Sequence, residues 1–503
     1  MSLPPVAGRW RSEDGAADAL AAGLQAQGRG PVERRETHCS TVLLTPHHAY
    51  KLKKPVRFDF VDQRTPAARR RACVHEAELN RGLAPGLVLG VRGVLRTADG
   101  RAGVGSADDP AAVDWAVEMV RFDERLTLAA RLASGGLDAA MPSAIGRRLA
   151  EFHRAAERAP PGASVSATVA HNLEALLILL DGSADAGVAL GLLRRARSFC
   201  GDWAARLAAR AAAGLVVDGH GDLRAEHVLL DAVGIRFVDR LEIDELRVVD
   251  VADDLAFLLM DLEHLGAAGI AASVLEAYRA AGGDRAPDEL VAFFGLHRAA
   301  VRAKVALLQG DPSHDAHGFL ALGRRMAWRS HGPLVLLVTG PPATGKSTLA
   351  AALAAASGLP VLASDVLRKA AGASPVDYDD ESRAAVYAAL GDRACAAPAV
   401  IVDATFGHRG LQDAFFTRCA SDAGRPVLAI ECVLGDAVRD ERACARQSAG
   451  GDPSDAGPRE AATLAAAHAR VDGRAVGRLV LDTSVPVDAL VGRVEAWMDG
   501  PMA

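Results

Sequence analysis

Gly340, Gly345, Lys346 and Ser347 stand at the spacing G-x-x-x-x-G-K-[ST], within the run GPPATGKST. Glycines at these places let successive backbone N–H groups curl around phosphate oxygens. A helix starting at the same point directs its positive end at the same anion. Lys346 adds a compact charge suited to the β- and γ-phosphates of ATP, and Ser347 a hydroxyl suited to Mg2+. Pro341, Pro342, Ala343, Thr344 and Thr348 complete the loop and the helix start, and count with it as nucleotide-binding positions. The apolar run Leu334–Val338 before the loop ends at Thr339-Gly340, as a buried parallel strand would. Strand, loop and helix signals thus agree, which a turn that binds nothing would not require.

A second group lies upstream, in VVDGHGDLRAEHVLL. Phosphoryl transfer to a hydroxyl needs one carboxylate to align the acceptor O–H and further ligands to hold the metal and phosphates. Asp222 of His220-Gly221-Asp222 stands where the first is needed. Asp239 closes the apolar run Ile235–Asp239 and suits a metal ligand. His227 occupies the second metal-ligand position of the H-R-D-x-x-x-x-N pattern, although hard cations prefer oxygen donors. Asp250 and Asp254 further on read as structural, holding this loop or capping a helix. The elements that must position these groups are also legible. Ser40–Thr45 and Ala49–Lys53 read as a hairpin whose second strand projects Lys51 and Lys53 from one face. A helix over Pro66–Leu83 carries Glu76 and Glu78, and a Lys–Glu pair there would orient the lysine toward the α/β-phosphates. Strands follow at Leu87–Leu95 and Ala116–Phe122, with Glu118-Met119-Val120 as a hinge offering backbone groups to adenine. Residues 123–215 read as helical. His153 there reads as a packed core histidine, and Arg298, Arg302 and Lys304 as a solvated helix face.

Beyond the glycine loop, Asp365 follows the strand-like Leu359–Ala363 and could align an acceptor hydroxyl. Asp403 ends Val400–Val402 in a Walker-B-like position, a metal-ligand place shared with Ser347. Arg439, Arg442 and Arg446 fall on one face of a helix over Asp436–Arg446, suited to offsetting charge on a transferring phosphate. Further helices are expected at Arg459–Val471 and Val487–Met498, with a strand at Leu479–Asp482.

The composition sets limits. A length of 503 residues implies roughly three units of ~150 residues. The formal charge of −6 and the absence of any Lys/Arg block disfavour a polyanion groove, so nucleic acid is an unlikely partner. Lysine is restricted to Lys51, Lys53, Lys54, Lys304, Lys346 and Lys369, so each marks a place where an ammonium could matter. Seven cysteines without a C-x-x-C pair suggest free thiols in a reducing compartment. No stretch approaches 18 apolar residues, and the N-terminus lacks an apolar leader core, so a cytoplasmic location without membrane contact is expected.

His220-Gly221-Asp222 with Asp239 resembles the aminoglycoside phosphotransferase and choline kinase family, which has the protein-kinase fold. ETHCSTVLL, AYKLKKPVRFDF and GHGDLRAEHVLL resemble a subgroup often fused to a P-loop kinase, over roughly residues 33–328. The resemblance implies Lys51 as the phosphate lysine with Lys53 as its rival, Glu76 as its partner, Asp222 as base and Asp239 as the magnesium aspartate. His227 departs from the asparagine usual there. SDVLRK and IVDATF resemble P-loop kinases, grouped with AAA-type ATPases, that include polynucleotide 5′-hydroxyl kinases, zeta toxins and gluconate-kinase-like enzymes, over about 333–500. That likeness implies Asp365 as acceptor base and Arg442 and Arg446 as lid arginines. The expected fold is an α+β protein-kinase-like bilobal domain, with a small lobe over 33–122 and a large lobe over 123–328. An α/β P-loop kinase domain with a parallel sheet follows over 333–500. Residues 1–32 read as a frayed lead-in with one helix near Ala16–Gln27. The expected activity is ATP-dependent and Mg2+-dependent phosphorylation of a hydroxyl on a small polar acceptor such as a sugar or aminosugar. The alternatives are an ATP-binding regulatory protein with little turnover, raised by His227, and a 5′-hydroxyl polynucleotide kinase acting through the second domain.

Overall fold

The computed structural model describes residues 15–500 except 38, 59–60, 161–164, 311–314, 371–379, 407–408, 450–467, 469 and 472–474. The side chains of 58, 380–381, 421–422 and 446–449 also fall outside the description. The chain forms two compact units, Met1–Val165 with Ala205–Ala286, and Ser166–Ala204 with Pro287–Ala503.

The first unit opens with short strands β1 (Glu33–Glu36), β2 (Ser40–Leu44) and β3 (His48–Lys53). After the two-residue pair β4 (Arg57–Phe58) and β5 (Val61–Asp62) come β6 (Val88–Arg96), β7 (Ala102–Ser106) and β8 (Ala112–Val120). They form an antiparallel sheet in the order β1-β2-β3-β8-β6-β7. The period of two in β3 sorts its side chains. Tyr50 and Leu52 enter a core with Leu20, Leu24, Leu43, Val94 and Ala116. Lys51 and Lys53 point to the other face, where helix Pro66–Leu83 packs Cys73 and Ala77 against Val88 and Val117. Thr65 caps that helix by accepting from the Ala68 amide, and Pro66 opens it.

Helix Ala16–Ala26 matches the helix expected near Ala16–Gln27, but this part of the lead-in is packed and not frayed. Leu20 and Leu24 are fully buried against the sheet. At Gly23 a Cβ would lie 1.6 Å from the Ala102 carbonyl oxygen, so only glycine allows this approach of helix to strand.

The rest of this unit places the loops. Strand β9 (Val216–Asp218) pairs antiparallel with β12 (Val248–Asp250), and β10 (Val228–Asp231) with β11 (Gly234–Phe237). Beneath them runs helix Val251–His264, buried from Val251 through Leu262 and capped by Asp250, which accepts from the Ala252 amide. Within the expected helical stretch 123–215, helices Ala186–Asp202 and Ala204–Ala212 are separate elements, the first of them in the second unit.

The second unit holds a parallel sheet of β13 (Leu334–Thr339), β14 (Val361–Ala363), β15 (Ala399–Asp403), β16 (Val427–Val433) and β17 (Gly477–Asp482), in the order β14-β15-β13-β16-β17. Central β13 is buried along its length because helices cover both faces. Leu334, Leu336 and Val338 pack with Leu349, Leu353, Ile430 and Leu490. Val335 and Leu337 pack with Val402, Phe406, Phe415 and Ala429.

The compact units divide differently from the expected 33–328 and 333–500. Helices Ala186–Asp202, Asp288–Gln309 and Ala316–Arg329 cluster with the parallel sheet. The reason is apolar: Trp328 is buried in the same core as Leu334, Leu353 and Met498. The expected helix Arg459–Val471 lies mostly outside the described residues, which include only 468, 470 and 471 of it. Among the described residues no helix is long and apolar enough to cross a membrane.

Truncating a fully buried leucine costs about 2–5 kcal/mol. Leu20→Ala and Leu24→Ala should therefore each destabilise the first unit by about 3 kcal/mol in urea unfolding. A change under about 0.5 kcal/mol, as for an exposed residue, would restore the lead-in reading.

Candidate active sites

In the first unit β3 and helix Pro66–Leu83 bring Lys51 and Glu76 together, with Lys51 Nζ 2.8 Å from Glu76 Oε1. Lys51 Nζ also donates to Asp239 Oδ1 at 2.6 Å. Lys53 takes the other oxygen of Glu76, at 2.6 Å, and Glu242 at 2.6 Å. The two lysines therefore divide the work. Lys51, with 12% of its side chain exposed, faces the site, and Lys53, with none, ties the Asp239–Glu242 segment to the sheet. Burial would lower the Lys51 pKa, but Asp239 and Glu76 hold it well above the usual lysine value. Burial would likewise raise Asp239, but Lys51 and then His227 keep its carboxyl well below the usual range. Asp239 takes a left-handed conformation, φ 58°, which aspartate tolerates better than most residues. Asn80 fixes the turn: its side chain accepts from the Arg240 amide at 2.9 Å and donates to the Arg240 carbonyl at 3.3 Å.

The loop of Asp222 is held from below. Asp254 accepts the amides of His220 at 2.7 Å and Gly221 at 3.0 Å. Asp261 accepts the amide of Ala225 at 2.8 Å. The structural roles expected of Asp250 and Asp254 are those seen. His153 is buried and meets the Tyr278 hydroxyl at 2.9 Å, also as a core residue. His220 is fully buried and neutral, because Nε2 donates to the Val238 carbonyl at 3.0 Å and Nδ1 accepts from the Asp222 amide at 3.4 Å. Burial pushes its pKa down to about 4.

His227 stands between the two aspartates. Nδ1 donates to the Asp222 carbonyl oxygen at 2.7 Å, which fixes the tautomer and leaves the Nε2 lone pair outward. Nε2 lies 3.7 Å from Asp239 Oδ2, and Nδ1 lies 3.6 Å from Asp222 Oδ2. Asp222, His227, Asp239, Lys51 and Glu76 thus converge as the sequence reading expected. Sequence reasoning missed Arg224, whose guanidinium grips both oxygens of Asp222 at 3.0 and 3.1 Å. It also missed Glu242 and Asn80. The only sequence signal was proximity, since Arg224 and Glu242 each lie a few residues from a singled-out aspartate.

Two expectations need correction. The amides of Val120 and Arg121 already donate to the Leu87 and His47 carbonyls, because β8 is central and paired on both sides. Glu118 is buried and accepts from Tyr50 at 2.9 Å and Arg92 at 2.6 Å. Backbone free to meet a base therefore begins after Arg121, not at Glu118–Val120. Nor are Arg298, Arg302 and Lys304 a solvated face. Arg298 is buried, Arg302 stacks over Phe319, and Lys304 donates to Asn172 at 2.6 Å.

In the second unit the glycine loop joins β13 to helix Lys346–Ser357. Gly340 has φ 144°, Ala343 φ 63° and Gly345 φ 83°. A Cβ at Gly340 would lie 2.4 Å from the Cys432 carbonyl oxygen, so the loop needs glycine there. Lys346 Nζ donates to the Pro341 carbonyl at 3.0 Å and Thr344 Oγ1 to the same oxygen at 2.8 Å, which curls the loop over the helix start. The first amides of a helix have no intrahelical partner, and they face into this curl. Pro342 is buried, and Ser347 and Thr348 are exposed at the helix start. Asp403 is buried at the tip of β15, in register with Val338 of β13. Asp365 stands in the first turn of helix Ser364–Ala370, and Arg442 Nη2 donates to the Thr483 carbonyl at 3.1 Å. Thr483 in turn donates to the Thr344 carbonyl at 2.7 Å, so Arg442 is tied to the glycine loop. Arg439 pairs locally with Asp436 at 2.7 Å, while the side chain of Arg446 lies outside the described residues.

Comparison with known proteins follows this division. Residues 335–471 match the family model described as "AAA domain". The chain is 34% identical over 489 residues to "Uncharacterized protein Rv2004c" of Mycobacterium tuberculosis, covering 92% of this chain and 94% of that one. The chain belongs to that protein's family. Among solved structures, a choline/ethanolamine kinase family protein from Mesorhizobium loti matches 63% of this chain and 94% of its own, at 17% identity and TM-score 0.39. A sugar kinase from Janibacter sp. matches 33% of this chain and 95% of its own, at 21% identity and TM-score 0.27. The second unit of this family member is thus an α/β fold with a parallel sheet, whose residues 335–471 match the AAA domain model.

His220 gives a pH prediction. Its folded pKa of about 4 lies below the unfolded value of about 6.5. The unfolded chain therefore binds the extra proton first, and the first unit loses stability as pH falls from about 6.5 to about 4, by about 3 kcal/mol. His220→Asn should flatten that part of the urea-stability profile. An unchanged slope would mean that other groups set it.

Proposed function

We propose that the chain is an ATP-dependent phosphotransferase with two sites, each passing the γ-phosphoryl group to a hydroxyl of a small polar acceptor, the first acceptor resembling a sugar or aminosugar. The observation that carries the reading is Lys51 bridging Glu76 and Asp239, with Asp222 alongside across His227. This is a cation poised for phosphates next to a carboxylate poised for an acceptor. The Lys51 ammonium orients the α/β-phosphates. Asp222, fully ionised because its pKa is held down to about 2, accepts the hydrogen bond of the attacking hydroxyl and aligns its oxygen. Burial would raise that pKa, but Arg224 and then His227 outweigh it. The acceptor oxygen forms a bond to γ-phosphorus as the bond to the β,γ-bridging oxygen breaks, and the hydroxyl proton passes to Asp222 or the new phosphate ester.

The carboxylate and hydroxyl donors fit Mg2+, and the His227 nitrogen suits it less well. At the first site two ammonium groups, Lys51 and Lys53, face three carboxylates, Glu76, Asp239 and Glu242. A triphosphate deepens that negative surplus, and a divalent cation offsets it. Among the described residues no three His, Cys, Asp or Glu side chains could hold a metal by themselves. That suits Mg2+, which keeps phosphate oxygens and waters as ligands. Asp239 and His227 would hold it at the first site, Ser347 and Asp403 at the second, where Asp365 aligns the acceptor and Arg442 and Arg446 offset charge. The bound cation would screen the β- and γ-oxygens.

ADP release across a panel of sugars, aminosugars and aminoglycosides tests this. Asp222→Asn should lower turnover of the first site by about 10²–10⁴-fold. Lys346→Ala should abolish the contribution of the second. ATP binding with no acceptor-stimulated release in the unaltered protein would favour a regulatory, nucleotide-sensing role. Phosphate transfer to a 5′-hydroxyl oligonucleotide, lost in Asp365→Asn, would move the second site to a polynucleotide acceptor.

A further inference from the structure

Two sulfurs of the second unit lie against each other. Cys395 stands near the end of helix Asp380–Ala396, and Cys419 in the π-helical turn Thr417–Asp422. Both are thiols, and their Sγ atoms are 3.6 Å apart. The Cys395 thiol also lies 3.6 Å from the Arg418 carbonyl oxygen. The two differ in access. Cys395 is half-buried, whereas Cys419 is fully buried in the core of Val402, Phe406 and Phe415. Burial, and then the neighbouring sulfur, push the Cys419 thiol well above its usual value. An oxidant arriving from water therefore meets Cys395 first, with Cys419 behind it as a resolving thiol.

The elements that carry this pair also hold the loop after Asp403. Phe406 has φ 46°, a conformation that costs a bulky residue and must be held by its surroundings. Tyr387, on the helix of Cys395, accepts the Phe406 amide at 3.1 Å and packs its ring 4.6 Å from that of Phe406. Phe415, on the helix Arg409–Phe416 that runs into the turn of Cys419, meets Phe406 edge-on at 5.2 Å. Burial pushes the Tyr387 hydroxyl up to about 12, and the charge of Asp365 adds to this. The two walls that grip Phe406 are thus the two that the cysteines would join.

We propose that Cys395 and Cys419 are an oxidisable dithiol, which a peroxide converts to a disulfide that tightens the grip on the Asp403–Phe406 loop. The thiol of Cys395 and hydrogen peroxide give a sulfenic acid and water as the O–O bond breaks. The Cys419 sulfur then attacks Cys395 Sγ. The S–S bond forms, the S–O bond breaks, and the Cys419 proton leaves with the hydroxyl as a second water. Each sulfur gives up one electron, and the peroxide takes both. A thiol reductant reverses the change. The bond would link residues 24 apart in sequence, across β15 and helix Arg409–Phe416, so it would oppose any opening that parts them. The inference holds whether or not the second site turns over.

The test treats the full chain with hydrogen peroxide, blocks remaining thiols, and maps the peptides by mass spectrometry without reduction. One linked pair, Cys395 with Cys419, should form and disappear with dithiothreitol. Cys395→Ser should remove it and leave Cys419 a thiol, and Cys419→Ala should also remove it. In the unaltered protein, amide hydrogen exchange over Ala399–Phe406 should slow by about tenfold on oxidation and recover on reduction. In Cys395→Ser peroxide should leave that exchange unchanged. Cys395 carried to sulfinic acid beside an unmodified Cys419 overturns the proposal, as does pairing of either with the exposed Cys444. A linked pair without slower exchange overturns it too, because the bond would then restrain nothing.

Discussion

The first unit depends on keeping several charges out of water without leaving one unpaired. Lys51, Lys53, Glu76 and Glu242 are largely removed from solvent, and each ammonium meets two carboxylates. Removing one partner from such a buried set costs about 3–5 kcal/mol, because the group left behind has no water to turn to. The set therefore fixes more than itself. Glu76 can serve both lysines only if helix Pro66–Leu83 sits at one height above β3, and Glu242 can reach Lys53 only if the Asp239 turn folds back to the sheet. Charge pairing sets the geometry, and the apolar contacts of Cys73, Ala77, Val88 and Val117 keep water away so that pairing stays strict.

The loop of Asp222 is built by the opposite device. Its position comes from backbone amides captured by buried aspartates, Asp254 at one end and Asp261 at the other. A carboxylate accepting from amides is strongly held and needs no counter-ion side chain on the loop. Burial would raise the Asp254 pKa, but His153 and the neighbouring hydrogen bonds hold it well below the usual carboxylate range. That leaves the loop's own side chains, Asp222, Arg224 and His227, free for one another. Rigidity of the backbone and mutual pairing of the side chains are consequences of the same arrangement.

What was legible in the sequence follows from how local each feature is. The glycine loop could be read because backbone conformation is dictated by residue type: φ 144° at Gly340 and φ 83° at Gly345 leave few alternatives. Lys51 could be read because strand alternation sets its face on β3, and Asp222 and Asp239 because each follows a short strand closely. The choice between Lys51 and Lys53 could not, since both project from one face of β3, and only Glu242, far off in sequence, separates their roles. Helix Ala16–Ala26 could be read, but its packing on the sheet could not, because alanine and glycine carry little hydrophobic signal. Its Gly23 is in fact the point of closest approach to the sheet. The resemblance over roughly 33–328 took in the helices from 287 to 329, whereas these cluster with the parallel-sheet unit and Trp328 is buried in that sheet's core. In each miss a long-range contact outweighed a local pattern.

The two sites also solve the problem of standing without a ligand differently. In the glycine loop the groups suited to phosphate are mostly backbone N–H dipoles, and the single ammonium, Lys346, folds back on the Pro341 carbonyl. Dipoles at a helix start need no counter-charge when no anion is near, so this site can wait open. The first site is assembled from full side-chain charges, and an isolated ion there would be costly. Its lysines must hold carboxylates and its carboxylates must hold cations, Lys51 on Asp239 and Arg224 on Asp222, until something of greater charge competes. A site made of charges is therefore closed upon itself at rest, and entry of a polyanion must rearrange ion pairs already formed, whereas the glycine loop need only receive one.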